Sequence, residues 1–224
     1  MIVLVCLEAP NPGRAAKAAE GLARKLVQGA QIIAVSAGGP LDNGALAWAL
    51  ERRSFQRIIH LQDSSLVKAD FLTVGIVLSE LARQVRADVV LAGGSSDSEG
   101  QGLVPAALAE RLHAPLIARV RDVRLADSGR LEVTVSAGGQ LCTLSCPCPV
   151  VLTATASHDS SSAPDAPTPA SSVETIGLGQ LTLDSSQMVP RPELLGTQAA
   201  APSKRPRPII PDEAARYLLG RRMP

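Results

Sequence analysis

The first half of the chain alternates between two hydrophobic patterns, and this alternation limits its fold more than any other feature of the sequence. Runs rich in Val, Ile and Leu predict short buried strands at residues 2–5, 31–35, 57–61 and 88–92. Longer segments with helical spacing of apolar residues lie at 15–27, 44–53, 69–85 and 103–113. Such alternation is typical of right-handed crossovers, and strands that are apolar throughout are typical of a sheet buried on both faces. We therefore predict an α/β fold, a three-layer Rossmann-like parallel sheet covered by helices.

The pattern changes after residue 113, where strand-like runs follow one another without helices between them. These runs cover residues 116–125, 131–136, 141–145 and 150–154. Turn residues separate the first three runs, at Ala126-Asp-Ser-Gly129 and at Ala137-Gly-Gly-Gln140. We therefore expect an added antiparallel hairpin region, which makes residues 1–156 one α/β domain with terminal hairpins.

The C-terminal third is poor in large apolar residues. Residues 157–172 are a Ser/Pro-rich loop, and 173–224 predict a C-terminal arm that ends in a short helix at 211–219. The arm has too little apolar surface to fold alone, so we expect it to wrap over the first domain or to pack on a partner subunit.

Charge and aromatic content exclude several classes of partner. The chain has 22 Lys and Arg against 21 Asp and Glu, and aromatic residues make up 2% of it. Binding a nucleic acid needs a concentrated basic face or stacking aromatic rings, so no nucleic-acid partner is expected. No apolar run approaches the roughly 20 residues that span a bilayer, and the apolar start lacks the basic residues of a secretory signal. We expect a cytoplasmic protein without direct membrane insertion.

The four cysteines do not predict a metal centre. Cys6 lies in the first apolar run and is expected to be buried. Cys142, Cys146 and Cys148 form a C-x3-C-x-C pattern, which lacks the paired C-x2-C spacing and the fourth ligand of common zinc sites. No metal is therefore expected.

The most informative stretch is the Gly/Ser-rich loop after the fourth predicted strand. From Asp88 to Pro105 the sequence is DVVLAGGSSDSEGQGLVP, a strand that enters a loop and then a helix. In a parallel sheet such a loop lies at the carboxyl edge, where ligands bind in open α/β folds. The loop contains no Lys or Arg, so a phosphate would be held by main-chain N–H groups and by the helix N-terminus. Asp97 and Glu99 would suit ribose hydroxyls or an adenine amino group.

A structural explanation of the same loop stays open. Gly and Ser alone would make the turn, and Asp97 would cap the helix that follows. A second loop, Ser36-Ala-Gly-Gly-Pro40, follows the second predicted strand and would reach the same edge of the sheet. Two loops of small residues at one edge favour a ligand site.

Motifs for catalysis are weak. The loop lacks the Lys-Ser/Thr pair of a Walker sequence, and residues 93–98 only faintly resemble the S-G-G-x-D-S loop of adenylating enzymes. His60, His113 and His158 do not form a Ser/His/Asp pattern with other residues. No catalytic residue is predicted.

The order of motifs around the loop matches that of a known family. From Asp88 the chain reads DVVLAGGSSDSEGQGLVPAALAERLHAP, and residues 87–115 resemble the signature of electron transfer flavoprotein beta subunits. That signature has a D-L-V-L-x-G strand, then S-S-D-x-D-x-G-Q-x-G-P, then L-A-E-x-L-x-x-P. Val35-Ser-Ala-Gly-Gly39 resembles the family's V-S-x-G, and Pro149-Val-Val-Leu-Thr153 resembles its last strand, P-x-V-V-T. The similarity spans nearly the whole chain, and 87–115 is its specific part.

This resemblance implies an adenine nucleotide alpha hydrolase-like fold and an electron carrier without substrate chemistry of its own. The chain would pair with an alpha subunit that holds most of the FAD, and would itself bind AMP or a second FAD. The complex would pass electrons from a dehydrogenase to a quinone oxidoreductase or another acceptor. By the same resemblance, nine residues would line the nucleotide: Ser36, Gly38, Gly94, Ser95, Ser96, Asp97, Gly100, Gln101 and Gly102. The segment 158–172 stands where the family has its docking loop.

Two other functions fit part of the pattern. A universal-stress-like regulator that binds an adenine nucleotide would share the strand–helix alternation and the glycine loop, but it would not need the hairpins or the arm. An ATP pyrophosphatase-type enzyme would share only the faint loop motif.

Overall fold

The computed structural model describes residues 1–8, 13–26, 28–39, 44–67, 69–94, 102–126, 129–154 and 169–183. The strands in this part are Ile2–Cys6 (β1), Gln31–Gly38 (β2), Arg57–Gln62 (β3), Val89–Gly93 (β4), Leu116–Leu125 (β5), Leu131–Ala137 (β6), Gln140–Cys146 (β7), Val150–Ala154 (β8) and Val173–Gly177 (β9). The α-helices are Arg14–Arg24 (α1), Gly44–Glu51 (α2), Phe71–Gln84 (α3) and Leu103–Leu112 (α4). None of these helices is long and apolar enough to cross a membrane.

All of these strands join one sheet, in the order β7-β6-β5-β8-β4-β1-β2-β3-β9. Every pairing from β5 across to β9 is parallel, whereas β5 with β6 and β6 with β7 are antiparallel. The predicted α/β class, the parallel sheet between helices and the added hairpins are therefore confirmed. The position of β8 between β4 and β5 was not predicted, because the order of strands in space does not follow their order in the chain.

Alternate residues of the central strands enter two separate cores. Val3 and Val5 pack in the core that contains Leu22 of α1, and the apolar residues of α2 belong to the same core. Leu4 packs on the other face, with Leu81 of α3 and with α4. Because both faces of the sheet are covered, the strands need no polar alternation, which explains their continuous apolar sequence.

The strand β9 extends the parallel part of the sheet at its far edge. Its residues pair with β3, with Ile176 opposite Leu61, and Ile176 is buried in the core on the α3 side. The first residues of the predicted arm are thus a strand of the α/β sheet. The rest of that arm, residues 184–224, and residues 157–168 of the Ser/Pro-rich loop lie outside the described residues.

Helices α3 and α4 approach each other through small residues. A Cβ atom built at Gly75 of α3 would lie 2.7 Å from the Cβ of Ala107 of α4, which is closer than two carbon atoms can approach. Asp70 fixes the start of α3, because its carboxylate accepts hydrogen bonds from the N–H groups of Leu72 and Thr73. The pairing of these helices therefore depends on the missing side chain at Gly75.

We expect Gly75→Val to lower the free energy of unfolding by about 2 kcal/mol, because the new side chain has to displace α4. Chemical denaturation of the purified chain measures this. Gly179→Val is the control, since no described atom lies within 4 Å of a Cβ at that exposed position. Adding Ala107→Gly to Gly75→Val should recover part of the loss. Equal effects of Gly75→Val and Gly179→Val would contradict the contact.

Candidate functional site

The strands β1, β2, β3, β4 and β8 run in the same direction, so their carboxyl ends meet at one edge of the sheet. At this edge β1 ends at Cys6, β2 at Gly38 and β4 at Gly93. Since β2 and β4 flank β1, they lie about 10 Å apart. The two loops that the sequence singled out therefore leave the sheet on either side of the end of β1.

Gly94 and Gly102 are in direct contact. They flank residues 95–101, which lie outside the described residues. A Cβ atom at Gly102 would lie 2.7 Å from the carbonyl oxygen of Gly94, and Gly102 has a φ of +65°. Gly94 is held in turn by β8, because its N–H donates to the carbonyl oxygen of Ala154 at 3.2 Å. A Cβ at Gly94 would lie 2.9 Å from that same oxygen. Only glycine fits at both positions, so the end of β4 lies close to both the start of α4 and the end of β8.

The helix α4 begins directly after Gly102. Its N-cap residue is Gly102, which has no side chain to accept from the first turn. Gly102 leaves the first N–H groups of the helix uncapped, and together with the helix dipole they give such an end a partial positive charge. Gly102 occupies the N-cap position, and Asp97, which the structural explanation of the loop made the cap, lies outside the described residues.

The carboxyl end of β2 and its neighbour β3 contain buried polar groups. Ser36 is fully buried, and Gly38 is buried although no described atom lies within 4 Å of a Cβ built there. His60 of β3 pairs with Ser36 across the sheet and is fully buried as well. Its Nε2 lies 2.6 Å from the carbonyl oxygen of Gly39, so this nitrogen carries the proton and donates. In the neutral ring its Nδ1 is then an acceptor, and this atom is buried without a hydrogen-bond partner among the described residues.

Sequence reasoning did not select His60 as a site residue. Its position at the end of a predicted strand was the one available signal, because every such end reaches the carboxyl edge. Of the residues implied by the resemblance, Ser36, Gly38, Gly94 and Gly102 lie at this edge. The remaining five lie outside the described residues: Ser95, Ser96, Asp97, Gly100 and Gln101.

The cysteines differ in exposure. Cys6 is half-buried at the end of β1, where loss of hydration raises the pKa of its thiol to about 12. Burial also raises the pKa of the thiols of Cys146 and Cys148, whereas Cys142 is exposed on β7. Within the described ranges no three His, Cys, Asp or Glu side chains come together as metal ligands would.

A comparison with protein families matches residues 9–177 to the electron transfer flavoprotein domain. This match covers most of the chain, from the residues after β1 to the end of β9. No curated protein matches the chain.

We expect iodoacetamide to alkylate Cys142 and to leave Cys6 unmodified in mildly alkaline solution. The thiolate is the reactive form, and a pKa of about 12 leaves very little thiolate at Cys6. Peptide mass spectrometry after timed exposure measures both residues in one sample, and alkylation in denaturant shows that all four thiols are available. Modification of Cys6 at the rate of Cys142 would contradict the burial at the end of β1.

Proposed function

The chain belongs to the electron transfer flavoprotein domain family, and from this membership we propose that it is a beta-type subunit of a heterodimeric electron transfer flavoprotein. Members of this family are electron carriers that work with a flavin. In the proposed role the chain completes the FAD site of an alpha subunit and binds AMP, or a second FAD, at its own carboxyl edge. The complex passes electrons from a dehydrogenase to a quinone oxidoreductase or another acceptor. The bound flavin supplies the redox chemistry, and this chain supplies binding and orientation.

The contact between Gly94 and Gly102 is the observation that carries the nucleotide-binding part of the proposal. It brings the uncapped start of α4 to the carboxyl end of β4 without any side chain between them. Main-chain N–H groups at such a point attract a phosphoryl group. A loop that only had to connect a strand to a helix would not require glycine at both of its ends.

The second loop fits the other end of the same ligand. No described atom lies within 4 Å of a Cβ position at Gly38, so the described residues leave room for a group close to the backbone of β2. The buried Nδ1 of His60 lacks a hydrogen-bond donor, and a buried acceptor without a partner is costly. An adenine nucleotide carries donors in its amino group and its ribose hydroxyls, so the described residues are compatible with it in size and polarity.

The edge strand β7 supports the subunit role. Leu141 and Leu144 are 68% and 42% exposed, and they stand on an edge strand whose other residues are mostly exposed as well. Large apolar side chains on an open strand edge are typical of surfaces that another chain covers. The family match further favours this function over the universal-stress-like regulator and the ATP pyrophosphatase.

Expressed together with its alpha subunit, the chain should yield a yellow complex, and expressed alone it should lack flavin. The reason is that this chain provides only one side of the flavin site in the proposed division of roles. Visible absorbance of the two purified samples measures the difference. Flavin bound tightly to the isolated chain would contradict the division.

We expect Gly102→Val to lower the amount of AMP that co-purifies with the chain. Valine at a φ of +65° is strained, and its Cβ would push the start of α4 away from Gly94. Gly138→Val is the matched control, because Gly138 has a φ of +56° in the turn between β6 and β7 and no described atom within 4 Å of its Cβ position. Nucleotide released on denaturation, quantified per chain, gives the result. If a folded Gly102→Val variant carried as much nucleotide per chain as the unaltered protein, the nucleotide would not bind at this loop.

A further inference from the structure

Arg119 adopts a backbone conformation that is uncommon for a residue with a side chain. Its φ is +62°, and two other non-glycine residues of the described part, Arg86 and His113, also have positive φ. Those two directly follow the ends of α3 and α4, where a left-handed residue commonly terminates a helix. Arg119 instead lies inside β5, where the pairing with β8 shifts between Ile117 and Val120. Glycine is the usual residue at a left-handed position in such a bulge.

A buried threonine holds Arg119 beside the candidate site. The N–H of Arg119 donates to Oγ1 of Thr153 at 3.2 Å, and Thr153 is 5% exposed. The same Oγ1 lies 3.6 Å from the Cβ position at Gly94. The backbone nitrogen of Arg119 is therefore within about 7 Å of that position, which a long side chain spans.

Arg119 also lies on the side of the sheet where α4 begins. Along β8, Leu152 and Ala154 enter the core beneath α1, and Val151 enters the core beneath α3 and α4. Side chains alternate along a strand, so Thr153 faces the same side as Val151. The hydrogen bond to Thr153 thus fixes Arg119 near the uncapped start of α4.

Several cations of the described residues are paired with carboxylates, whereas the guanidinium of Arg119 is not. Ion pairs to carboxylates hold Lys25, Arg57, Arg83 and Arg124. Arg119 is exposed, and among the described residues its side chain makes neither a hydrogen bond nor an ion pair. A guanidinium without a described partner, on a residue whose backbone lies close to Gly94, is available to an anion at this edge.

We propose that Arg119 recognises the phosphoryl group of the nucleotide bound at this edge, so that the site selects nucleoside phosphates over nucleosides. This inference rests on the proposed function, and it adds the residue that determines the charge of the ligand. A guanidinium donates two parallel hydrogen bonds to a phosphate and also brings a full positive charge, which main-chain N–H groups do not carry. Thr153 acts as a positioning residue, because its hydroxyl holds the backbone of Arg119.

Calorimetric titration of the full-length chain with AMP and with adenosine tests this. In Arg119→Gln the Kd for AMP should rise about tenfold, which is the loss of a charge-assisted hydrogen bond. The affinity for adenosine should stay unchanged, and Arg119→Lys should retain part of the affinity for AMP. The affinity of the unaltered chain for AMP should fall with salt more steeply than that of Arg119→Gln.

Arg86→Gln is the matched control. Arg86 is also exposed and also has a positive φ, +55°. Its substitution by Gln changes the net charge by the same amount as Arg119→Gln. It precedes β4, at the opposite edge of the sheet. AMP should therefore bind to Arg86→Gln as it does to the unaltered chain.

Different failures overturn different parts of the argument. If the unaltered chain binds AMP and adenosine equally well, or if Arg119→Gln keeps full affinity for AMP, Arg119 is not the phosphate contact and the proposed function survives. A lower melting temperature of Arg119→Gln with unchanged AMP affinity would show that its partner is another part of the protein. If both Gln variants lost the same AMP affinity, the loss would come from the change in net charge and not from a contact of Arg119. If the unaltered chain binds neither ligand, the nucleotide site fails and the inference fails with it.

Discussion

Burial of the parallel strands on both faces determines where this protein can place polar chemistry. Val3, Leu4 and Val5 are all fully buried, and so are Ile33 and Ala34 beside them in β2. Inside such a sheet the backbone groups pair with one another, so free N–H groups occur only where strands end. The carboxyl edge gathers the loops after β2 and β4 together with the start of α4. The location of the candidate site thus follows from the same constraint that makes the strands apolar.

Features of the fold that depend on neighbouring residues could be predicted from the sequence. The observed bounds of β5 and β8 equal the predicted ones, 116–125 and 150–154, because turn or proline residues punctuate both apolar runs. Pairings between distant segments could not be predicted. The sequence of β9, Val-Glu-Thr-Ile-Gly, has weak alternation, and it becomes a strand because the open edge of β3 offers it a partner. The insertion of β8 between β4 and β5 likewise depends on pairing between segments that are distant in the chain.

The residues of the candidate site likewise include some with a local signal in the sequence and others without one. The glycines at 38, 94 and 102 were visible as loop composition, but the reason for two of them, the contact of Gly94 with Gly102 and with Ala154, is a property of the folded chain. His60 looked like an ordinary strand residue until its buried and unpartnered Nδ1 could be seen. Arg119 had no local signal, because its left-handed backbone arises where the pairing of two distant segments shifts.

The close contact between Gly94 and Gly102 limits what these two residues can offer a ligand. Gly94 and Gly102 leave no space for a Cβ atom between the end of β4 and the start of α4, so no side chain of either residue can reach a ligand there. Fixed N–H dipoles attract an anion but carry no net charge, whereas the phosphoryl group of a nucleotide does. In the proposed recognition, the compensating charge comes from Arg119 of the nearby strand β5. Because β8 lies between β4 and β5, its Thr153 touches both the glycine loop and the backbone of Arg119. In the proposed recognition, the unpredicted position of β8 is what brings a cation of β5 next to Gly94.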